Sequence, residues 1–244
     1  MGHYENNAPY HIVRLIINGD DFGYTLANTQ GIIEAYHNGI LRSTSALANS
    51  KYLLQAKALA ASCPDLGIGV HLNLTLGEPL TKNKTLTDKD GLFFKGPLNV
   101  WKNNPDYDEI YWEWKAQIER FIEMFEKLPT HLDAHHNVHD RTSQALEVSL
   151  KLAKEYNIPL RGHNDFQFIQ DFNSHKGTSV ASMIQILDDH KGKDVEIMCH
   201  PGFCDLELYR ASSNSLNRVV ELDVLCSQEV KNYINENEIE LVHY

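Results

Sequence analysis

Short apolar runs alternate with amphipathic helical patterns along most of the chain, and this alternation constrains the fold more than any other feature. The apolar runs have the length of strands and fall at residues 12–17, 43–48, 67–74, 130–135, 158–161, 194–199 and 239–243. Strands separated by helices run parallel in one sheet. The sequence therefore predicts an α/β fold with about seven parallel strands.

The clearest helical pattern covers residues 108–127. Its large apolar side chains recur at steps of three or four residues: Ile110, Trp114, Ile118, Phe121 and Phe125. This spacing places them on one helix face, and we interpret them as core residues. No internal repeat or linker divides the chain, so we expect one domain over residues 1–244, with residues 1–10 as a poorly ordered extension.

The charge and the cysteines exclude several classes of function. The net charge is −11, and no run of basic residues is suited to a phosphate backbone, so we expect no nucleic acid partner. Four irregularly spaced cysteines indicate neither a disulfide framework nor a thiolate zinc site. Neither a signal peptide nor a run of about 18 apolar residues is recognisable, so we expect a cytoplasmic protein without a membrane partner.

Side chains with metal or proton chemistry stand at or just past the ends of successive predicted strands. They are Asp20, Asp21, His71, His135, His136, Arg161, His163 and His200. In parallel α/β sheets the carboxyl ends of the strands meet at one edge, where active sites assemble. We therefore expect these side chains to form one site.

The segment Asn18-Gly19-Asp20-Asp21-Phe22-Gly23 places two carboxylates at the end of a buried strand. Neighbouring side chains on an extended backbone point in opposite directions, so one carboxylate could bind a metal while the other moves a proton. A helix N-cap is an equally good interpretation of either aspartate.

Histidines supply the nitrogen ligands of the predicted site. His71 lies in an apolar strand, where a hydrogen-bonded core histidine is the commoner finding. Residues 129–139 contain four histidines in nine positions, a density that favours a metal site. Asp133 could orient an imidazole or be a solvated turn residue. Together, Asp21, His71 and His135 would leave coordination positions open for water and substrate, as in catalytic sites.

These segments resemble a known family. Residues 18–23, 69–75, 129–139, 196–203 and 221–225 are similar, in this order, to the signature segments of the YdjC-like carbohydrate deacetylases. The resemblance implies a distorted, TIM-like (β/α) barrel, often dimeric, with a divalent ion that is usually Mg²⁺. It implies Asp21, His71 and His135 as metal ligands, Asp20 as the base and His200 as a proton donor or substrate clamp. Ala134 and Asn137 depart from the family pattern, which has Ser and His there.

We therefore expect a metal-dependent hydrolase that removes the N-acetyl group from an acetylated mono- or oligosaccharide, such as a chitooligosaccharide. Mg²⁺ prefers oxygen ligands, so a site with two imidazoles is also suited to Zn²⁺, Mn²⁺ or iron. Arg161 could bind a phosphate or carboxylate of the substrate, or form a salt bridge at the barrel rim. We expect a homodimer. The alternatives are a hydrolase of another amide or ester, and a sugar-binding protein without turnover.

Residues 77–100 lack a regular period and contain the apolar pair Phe93-Phe94. A loop of this length is typical of a lid or binding loop, although a surface excursion is nearly as common. We predict that it borders the metal site and that the aromatic pair stacks on a sugar ring.

Overall fold

The computed structural model describes residues 13–244 and consists of alternating strands and helices. The strands are β1 (Arg14–Phe22), β2 (Ser43–Ala46), β3 (Gly67–Leu72), β4 (Leu132–Ala134), β5 (Gln167–Ile169), β6 (Val195–Cys199) and β7 (Glu240–Val242). The helices are α1 (Leu26–Asn38), α2 (Leu53–Ala60), α3 (Pro97–Lys102), α4 (Tyr107–Phe125), α5 (Ser143–Tyr156), α6 (Val180–Asp189), α7 (Leu206–Ala211), α8 (Asn217–Cys226) and α9 (Gln228–Glu236). The extension predicted at residues 1–10 and the first predicted strand residue, Ile12, lie outside the described residues.

The seven strands form one sheet in the order β4-β3-β2-β1-β6-β5, with β7 also paired to β1. The pairings between these strands are parallel. The sheet curls into an incomplete (β/α) barrel, which confirms the predicted fold class. Because β1 lies at the middle of the order, its carboxyl end opens at the centre of the sheet edge.

Burial on both faces explains why β1 is the central strand. Leu15, Ile16 and Ile17 are consecutive in sequence and fully buried. A strand that is covered on both sides reads as a continuous apolar run, as this one does. On α4, apolar side chains that the sequence predicts as core residues are buried, including Ile110, Trp114 and Phe121. Among residues 13–244, no helix combines the length and the apolar character that crossing a bilayer requires.

The fifth predicted strand, residues 158–161, is wrong. This segment forms a single bridge to β4, between Leu160 and Leu132, and does not continue as a strand. Pro159 has no N–H to donate to a ladder. The fifth strand is instead β5, which pairs with β6 at the end of the sheet order.

The aromatic pair of the 77–100 segment does not face a ligand as we predicted. Phe93 is 2% exposed and belongs to the hydrophobic core, and Phe94 packs against that core while partly buried. The Phe93 N–H donates to the carbonyl of Gly77 at 2.9 Å, which closes the segment on itself. The predicted stacking of Phe93 on a sugar ring is therefore wrong.

Candidate active site

Asp20 and Asp21 lie at the carboxyl end of β1, and both are buried. Asp21 has a left-handed backbone conformation, with φ of 72°, which aspartate tolerates better than most residues. The chain turns there, and the Asp21 carbonyl accepts hydrogen bonds from Tyr24 N–H and from the Asn28 side chain, both at 3.0 Å. The turn separates the two carboxylates, which have different partners.

The Asp21 carboxylate faces two imidazoles. Its Oδ1 lies 2.8 Å from His135 Nδ1 and 3.2 Å from His71 Nε2. Ligand atoms of these three residues all lie within 4.8 Å of one another. His71 belongs to β3, and His135 directly follows β4. The structure thus brings together the three side chains that we predicted as metal ligands.

Asp133 and Ser45 orient the His71 ring from the opposite side. His71 Nδ1 lies 2.7 Å from Asp133 Oδ1 and 3.1 Å from the Ser45 hydroxyl. This leaves His71 Nε2 directed at Asp21. A carboxylate behind an imidazole fixes its tautomer and strengthens it as a ligand. The orienting role predicted for Asp133 matches this contact.

Arg218 holds the other oxygen of Asp21, although nothing in the sequence indicated this residue. Its Nη2 lies 2.6 Å from Asp21 Oδ2, and its Nη1 lies 3.1 Å from Asn28 Oδ1. Burial opposes ionisation of Asp21, but His135 and Arg218 outweigh it and hold the pKa well below its usual range. Arg218 precedes two exposed valines in α8, so only the tertiary structure reveals that it is buried.

The charges of the site fit a divalent cation. Four buried carboxylates face two buried guanidinium groups: Asp20, Asp21, Asp133 and Glu196 against Arg161 and Arg218. Buried charge without compensation is costly, so the negative charge that these two guanidinium groups leave unbalanced favours a bound cation. Burial lowers the pKa of His71, but the carboxylates of Asp133 and Asp21 outweigh it and raise that pKa to about 10. The same excess of negative charge that holds a proton on His71 would attract a metal ion.

A second group of possible ligands is less suited to a cation. Asp20, His71 and Asp133 also have ligand atoms within 4.8 Å of one another. However, Arg161 NH2 lies 2.8 Å from Asp20 Oδ1 and 2.9 Å from Asp133 Oδ2. A guanidinium at this position neutralises both carboxylates and repels a second cation. The group of Asp21, His71 and His135 is therefore the better metal site.

Arg161 is fully buried beneath Asp20. Its two terminal nitrogens bind the two Asp20 oxygens, both at 2.8 Å, and its Nε binds Glu196 Oε1 at 2.7 Å. Such a bidentate pair fixes the orientation of a carboxylate. The substrate-binding role of Arg161 stays a prediction, while these contacts favour a role in positioning Asp20.

His200 follows β6 at the same sheet edge. Its backbone N–H donates to Glu221 Oε2 at 2.5 Å, and its ring Nδ1 is buried without a hydrogen-bond partner among the described residues. Burial lowers the pKa of His200 to about 4, although Asp20 opposes the shift. The ring is then neutral at pH 7, which suits hydrogen bonding to a substrate better than proton donation. The catalytic role of His200 stays a prediction.

The other histidines of the 129–139 segment have different surroundings. His136 lies beside His135 with its ring centroid at 4.0 Å, and its Nδ1 contacts the Thr75 hydroxyl at 3.0 Å. His131 and His139 are buried, and the His131 ring stacks on Tyr244. One histidine of the four therefore belongs to the group of candidate ligands.

A cleft of about 540 Å³ opens next to these residues, within the usual range of ligand pockets. Apolar and polar side chains alternate in its lining: Tyr24, Leu47, Asn49, Ser50, Lys51, Leu76, Glu78, Pro79, Leu80, Leu92, Arg120 and Glu207. Tyr24 connects the cleft to the site, because its ring lies 6.2 Å from that of His135. Such a mixed lining suits a sugar.

The start of the 77–100 segment forms one wall of this cleft, and α4 holds it in place. Glu113 is fully buried and accepts hydrogen bonds from the backbone N–H groups of Leu80 and Thr81 and from the Thr81 hydroxyl, at 2.6–3.1 Å. One helical turn earlier, Glu109 accepts three such bonds from Lys84 and Thr85 at 2.6–2.8 Å. These hydrogen bonds fix the segment against α4, so it forms a fixed wall of the cleft and not a mobile lid.

Comparison with known proteins places the chain in a family. The sequence model of the YdjC-like proteins matches residues 14–236. The chain belongs to the YdjC-like family. A relative from Clostridium beijerinckii named carbohydrate deacetylase is 40% identical over 246 residues, which cover 95% of this chain and 99% of the relative. The resemblance predicted from the sequence is confirmed, and this name agrees with the predicted enzyme class.

Solved structures in and beyond the YdjC-like family share the fold. A crystal structure from Enterococcus faecalis, named for cellobiose-phosphate cleavage, superposes with a TM-score of 0.89 at 37% identity and covers 96% of this chain and 98% of that one. A family 4 carbohydrate esterase from Streptomyces lividans superposes with a TM-score of 0.56 at 11% identity, covering 94% and 91%. At that identity the second likeness concerns the fold alone.

Proposed function

We propose that this protein is a metal-dependent carbohydrate deacetylase that hydrolyses the N-acetyl group of an acetylated mono- or oligosaccharide, such as a chitooligosaccharide. The main support is the convergence of Asp21, His71 and His135 within 4.8 Å, directly beside Asp20. Two imidazoles and one carboxylate leave coordination positions for water and substrate. Membership of the YdjC-like family supports the same activity.

The donor atoms facing the site are Asp21 Oδ1, His71 Nε2 and His135 Nδ1. A divalent ion held by them would supply a Lewis acid for the acetyl carbonyl and lower the pKa of water. Mg²⁺ is the ion we propose from the family resemblance. The nitrogen donors also suit Zn²⁺ and Mn²⁺, and metal analysis of protein purified without added ions distinguishes the three.

Asp20 is the proposed general base. Arg161 binds both of its oxygens and holds the carboxylate in one orientation beside Asp21. In this orientation Asp20 accepts the proton of the attacking water, and the same proton can pass to the sugar nitrogen as the amide bond breaks. His200, neutral at pH 7, would act as a hydrogen-bonding residue at this edge rather than as a proton donor.

The adjoining cleft is the proposed sugar site. Its lining offers apolar side chains for sugar faces and polar ones for hydroxyl groups. The name of the E. faecalis crystal structure refers to cleavage of cellobiose phosphate, whereas a relative from E. faecalis and one from C. beijerinckii are named carbohydrate deacetylase. An assay that follows acetate and free reducing sugar separately, on chitooligosaccharides and cellobiose phosphate, distinguishes the two activities. The expected homodimer stays a prediction, which sedimentation analysis checks.

Two substitutions test the division of labour between the aspartates. Asp20→Asn should retain the metal and lower the rate of acetate release by about 10²–10⁴-fold, because an amide cannot accept the proton of water. Asp21→Asn should instead lose most of the bound metal, because a ligand oxygen is replaced and the pair with Arg218 is weakened. Metal content by elemental analysis and acetate release are measured on both proteins.

Asp65→Asn, an exposed aspartate away from the site, is the matched control and should change neither quantity. Near-normal activity of Asp20→Asn, or loss of metal from Asp20→Asn but not from Asp21→Asn, would contradict the assignment. Release of reducing sugar without acetate would contradict the proposed reaction itself.

A further inference from the structure

A buried chain of polar contacts runs from Asp20 to the last residue of the sequence. Asp20 binds both terminal nitrogens of Arg161 at 2.8 Å, and Arg161 Nε binds Glu196 Oε1 at 2.7 Å. The hydroxyl of Tyr244 donates to the second oxygen, Glu196 Oε2. Glu196 pairs in register with Ile16, four residues before Asp20 on β1. The contacts therefore cross the interior of the barrel, from the catalytic edge toward its opposite end.

The Tyr244 ring is fixed by its neighbours. It stacks on His131 with ring centroids 4.0 Å apart and an angle of 19° between the planes. His131 fits there because Gly69 lacks a side chain: a Cβ at this position would lie 2.5 Å from the imidazole. Just before Tyr244, β7 pairs with β1 and sets the path of the chain. Burial and the Glu196 carboxylate raise the pKa of Tyr244 well above its usual value, so its hydroxyl keeps the proton that it donates.

Glu196 needs this donor because it is fully buried. One of its oxygens accepts from Arg161 and the other from Tyr244, so both are satisfied. Without the Tyr244 hydroxyl, Oε2 would be left without this partner inside the barrel. The carboxylate would then turn or bind a proton, and Arg161 would lose the fixed anchor of its Nε. Arg161 would keep its contacts to Asp20 and Asp133, but without the Nε anchor the guanidinium could rotate and would hold Asp20 less firmly in one orientation.

We propose that Tyr244 is a positioning residue for catalysis, which acts through Glu196 and Arg161 on the orientation of Asp20. The inference rests on the proposed function of Asp20 as the base. Tyr244 contacts neither the predicted metal ligands nor the cleft. Its removal should therefore affect the rate of the chemical step and leave substrate binding and metal binding unchanged.

Tyr244→Phe tests this, because it removes one hydroxyl and keeps the ring that stacks on His131. We expect kcat to fall by about tenfold, since small displacements of a catalytic group have large effects on rate, with KM and metal content unchanged. Glu196→Gln should have the same signature. In the double variant, Tyr244→Phe should add no further loss of kcat, because its effect passes through the Glu196 carboxylate.

Tyr156→Phe is the matched control: its hydroxyl also binds a glutamate, Glu119 at 3.2 Å, but on the protein surface. It should leave kcat unchanged. An unchanged kcat in Tyr244→Phe, or a fall that persists in full in the Glu196→Gln background, would overturn the inference. Asp20→Asn in the same assay distinguishes failure of the positioning role of Tyr244 from failure of the proposed function. If Asp20→Asn remains active, Asp20 is not the base.

Discussion

Asp20 and Asp21 are neighbours in sequence, yet their carboxylates face different partners. The positive φ of Asp21 turns the backbone between them. One carboxylate then binds Arg161, while the other faces two imidazoles and Arg218. The proposed base and the proposed metal ligand thus have different fixed partners: a bidentate guanidinium orients Asp20, whereas the donor oxygen of Asp21 faces the imidazole nitrogens. The turn at a single residue therefore allows the different roles that we propose for the two aspartates.

A buried acid near His200 predicts a pH dependence of stability. Glu221 is fully buried, and burial raises its pKa to about 7, although His200 N–H, Arg218 and Asn217 oppose the shift. The folded protein binds this proton more tightly than the unfolded chain, whose glutamate pKa is near 4.5. Stability therefore falls as pH rises from about 4.5 to 7, by roughly 3 kcal/mol for this group.

Glu221→Gln removes the titrating group and keeps an oxygen that can accept from His200 N–H. Urea unfolding of both proteins between pH 4.5 and pH 8 measures the effect. We expect the difference in unfolding free energy, wild type minus variant, to decrease as pH rises through this range. Identical pH profiles for the two proteins would show that Glu221 does not carry the proton.

Residue types at strand ends made the candidate ligands predictable. The carboxyl ends of parallel strands share an edge, so Asp21, His71 and His135 could be grouped without knowing the packing. The position of Arg161 after a predicted strand allowed either substrate binding or a salt bridge at the rim, and its burial beneath Asp20 was not predictable. Arg218 and Tyr244 were missed, because their partners lie on distant elements of the chain.

The packing of α1 against the turn that follows β6 connects the helix layer to His200. A Cβ at Gly31 would lie 2.4 Å from Phe203 N and 2.5 Å from Gly202 Cα, both backbone atoms. In an exposed helix position Gly→Ala stabilises by about 1 kcal/mol. Here we expect Gly31→Ala to destabilise the protein by about 1–3 kcal/mol, as overpacking does. Displacement of the turn should also lower kcat.

Thermal or urea unfolding and acetate release test this variant. Gln30→Ala changes the neighbouring exposed residue of α1 and is the matched control, because it adds no atom at the contact. If Gly31→Ala were as stable as the wild type, the close approach of helix and turn would not constrain the position of His200.

The hydrogen bonds between α4 and the cleft wall predict an effect on substrate binding. In Glu113→Gln an amide N–H₂ replaces one of the two carboxylate oxygens that accept hydrogen bonds from the backbone N–H groups of Leu80 and Thr81. One donor then faces another donor. The wall should loosen, so we expect KM to rise several-fold, by about 1 kcal/mol of lost binding, with metal content unchanged. Steady-state kinetics measure the change. Glu123→Gln, exposed on the same helix, should leave KM as it is, and an equal change there would exclude a specific role of Glu113.

Element positions were predictable where the local pattern was strong. The buried runs of β3 and β6 were identified close to their observed bounds. In β1 only the apolar first half was identified, because the strand continues through the polar residues 18–21 to Phe22. The short strand β5 has an exposed, a half-buried and a buried residue in turn, a pattern too brief to recognise. The neighbouring 158–161 run is apolar like a strand, but its apolar side chains pack without a continuous ladder.

At the scale of the whole molecule, negative charge exceeds positive charge both over the full chain and within the buried site. The chain has 33 acidic and 22 basic residues, and the buried carboxylates of the site outnumber its buried arginines. Screening by salt weakens the surface charges but affects buried ones much less. The local excess is therefore the part that a bound cation would relieve, and it would couple metal binding to folding.

Metal removal should consequently destabilise the protein. A ligand that binds only the folded state stabilises it by about 2.7 kcal/mol at a free concentration of 100 Kd. For a chain of this size that corresponds to a rise in Tm on the order of 5–10 °C. Scanning calorimetry with a chelator and with excess divalent ion measures the difference. Asp21→Asn should show little metal-dependent rise, because it lacks a ligand, whereas Asp65→Asn should behave as the wild type. A Tm that does not respond to the ion, or a full response in Asp21→Asn, would mean that the carboxylates at the end of β1 are balanced without a metal and that the site acts by another chemistry.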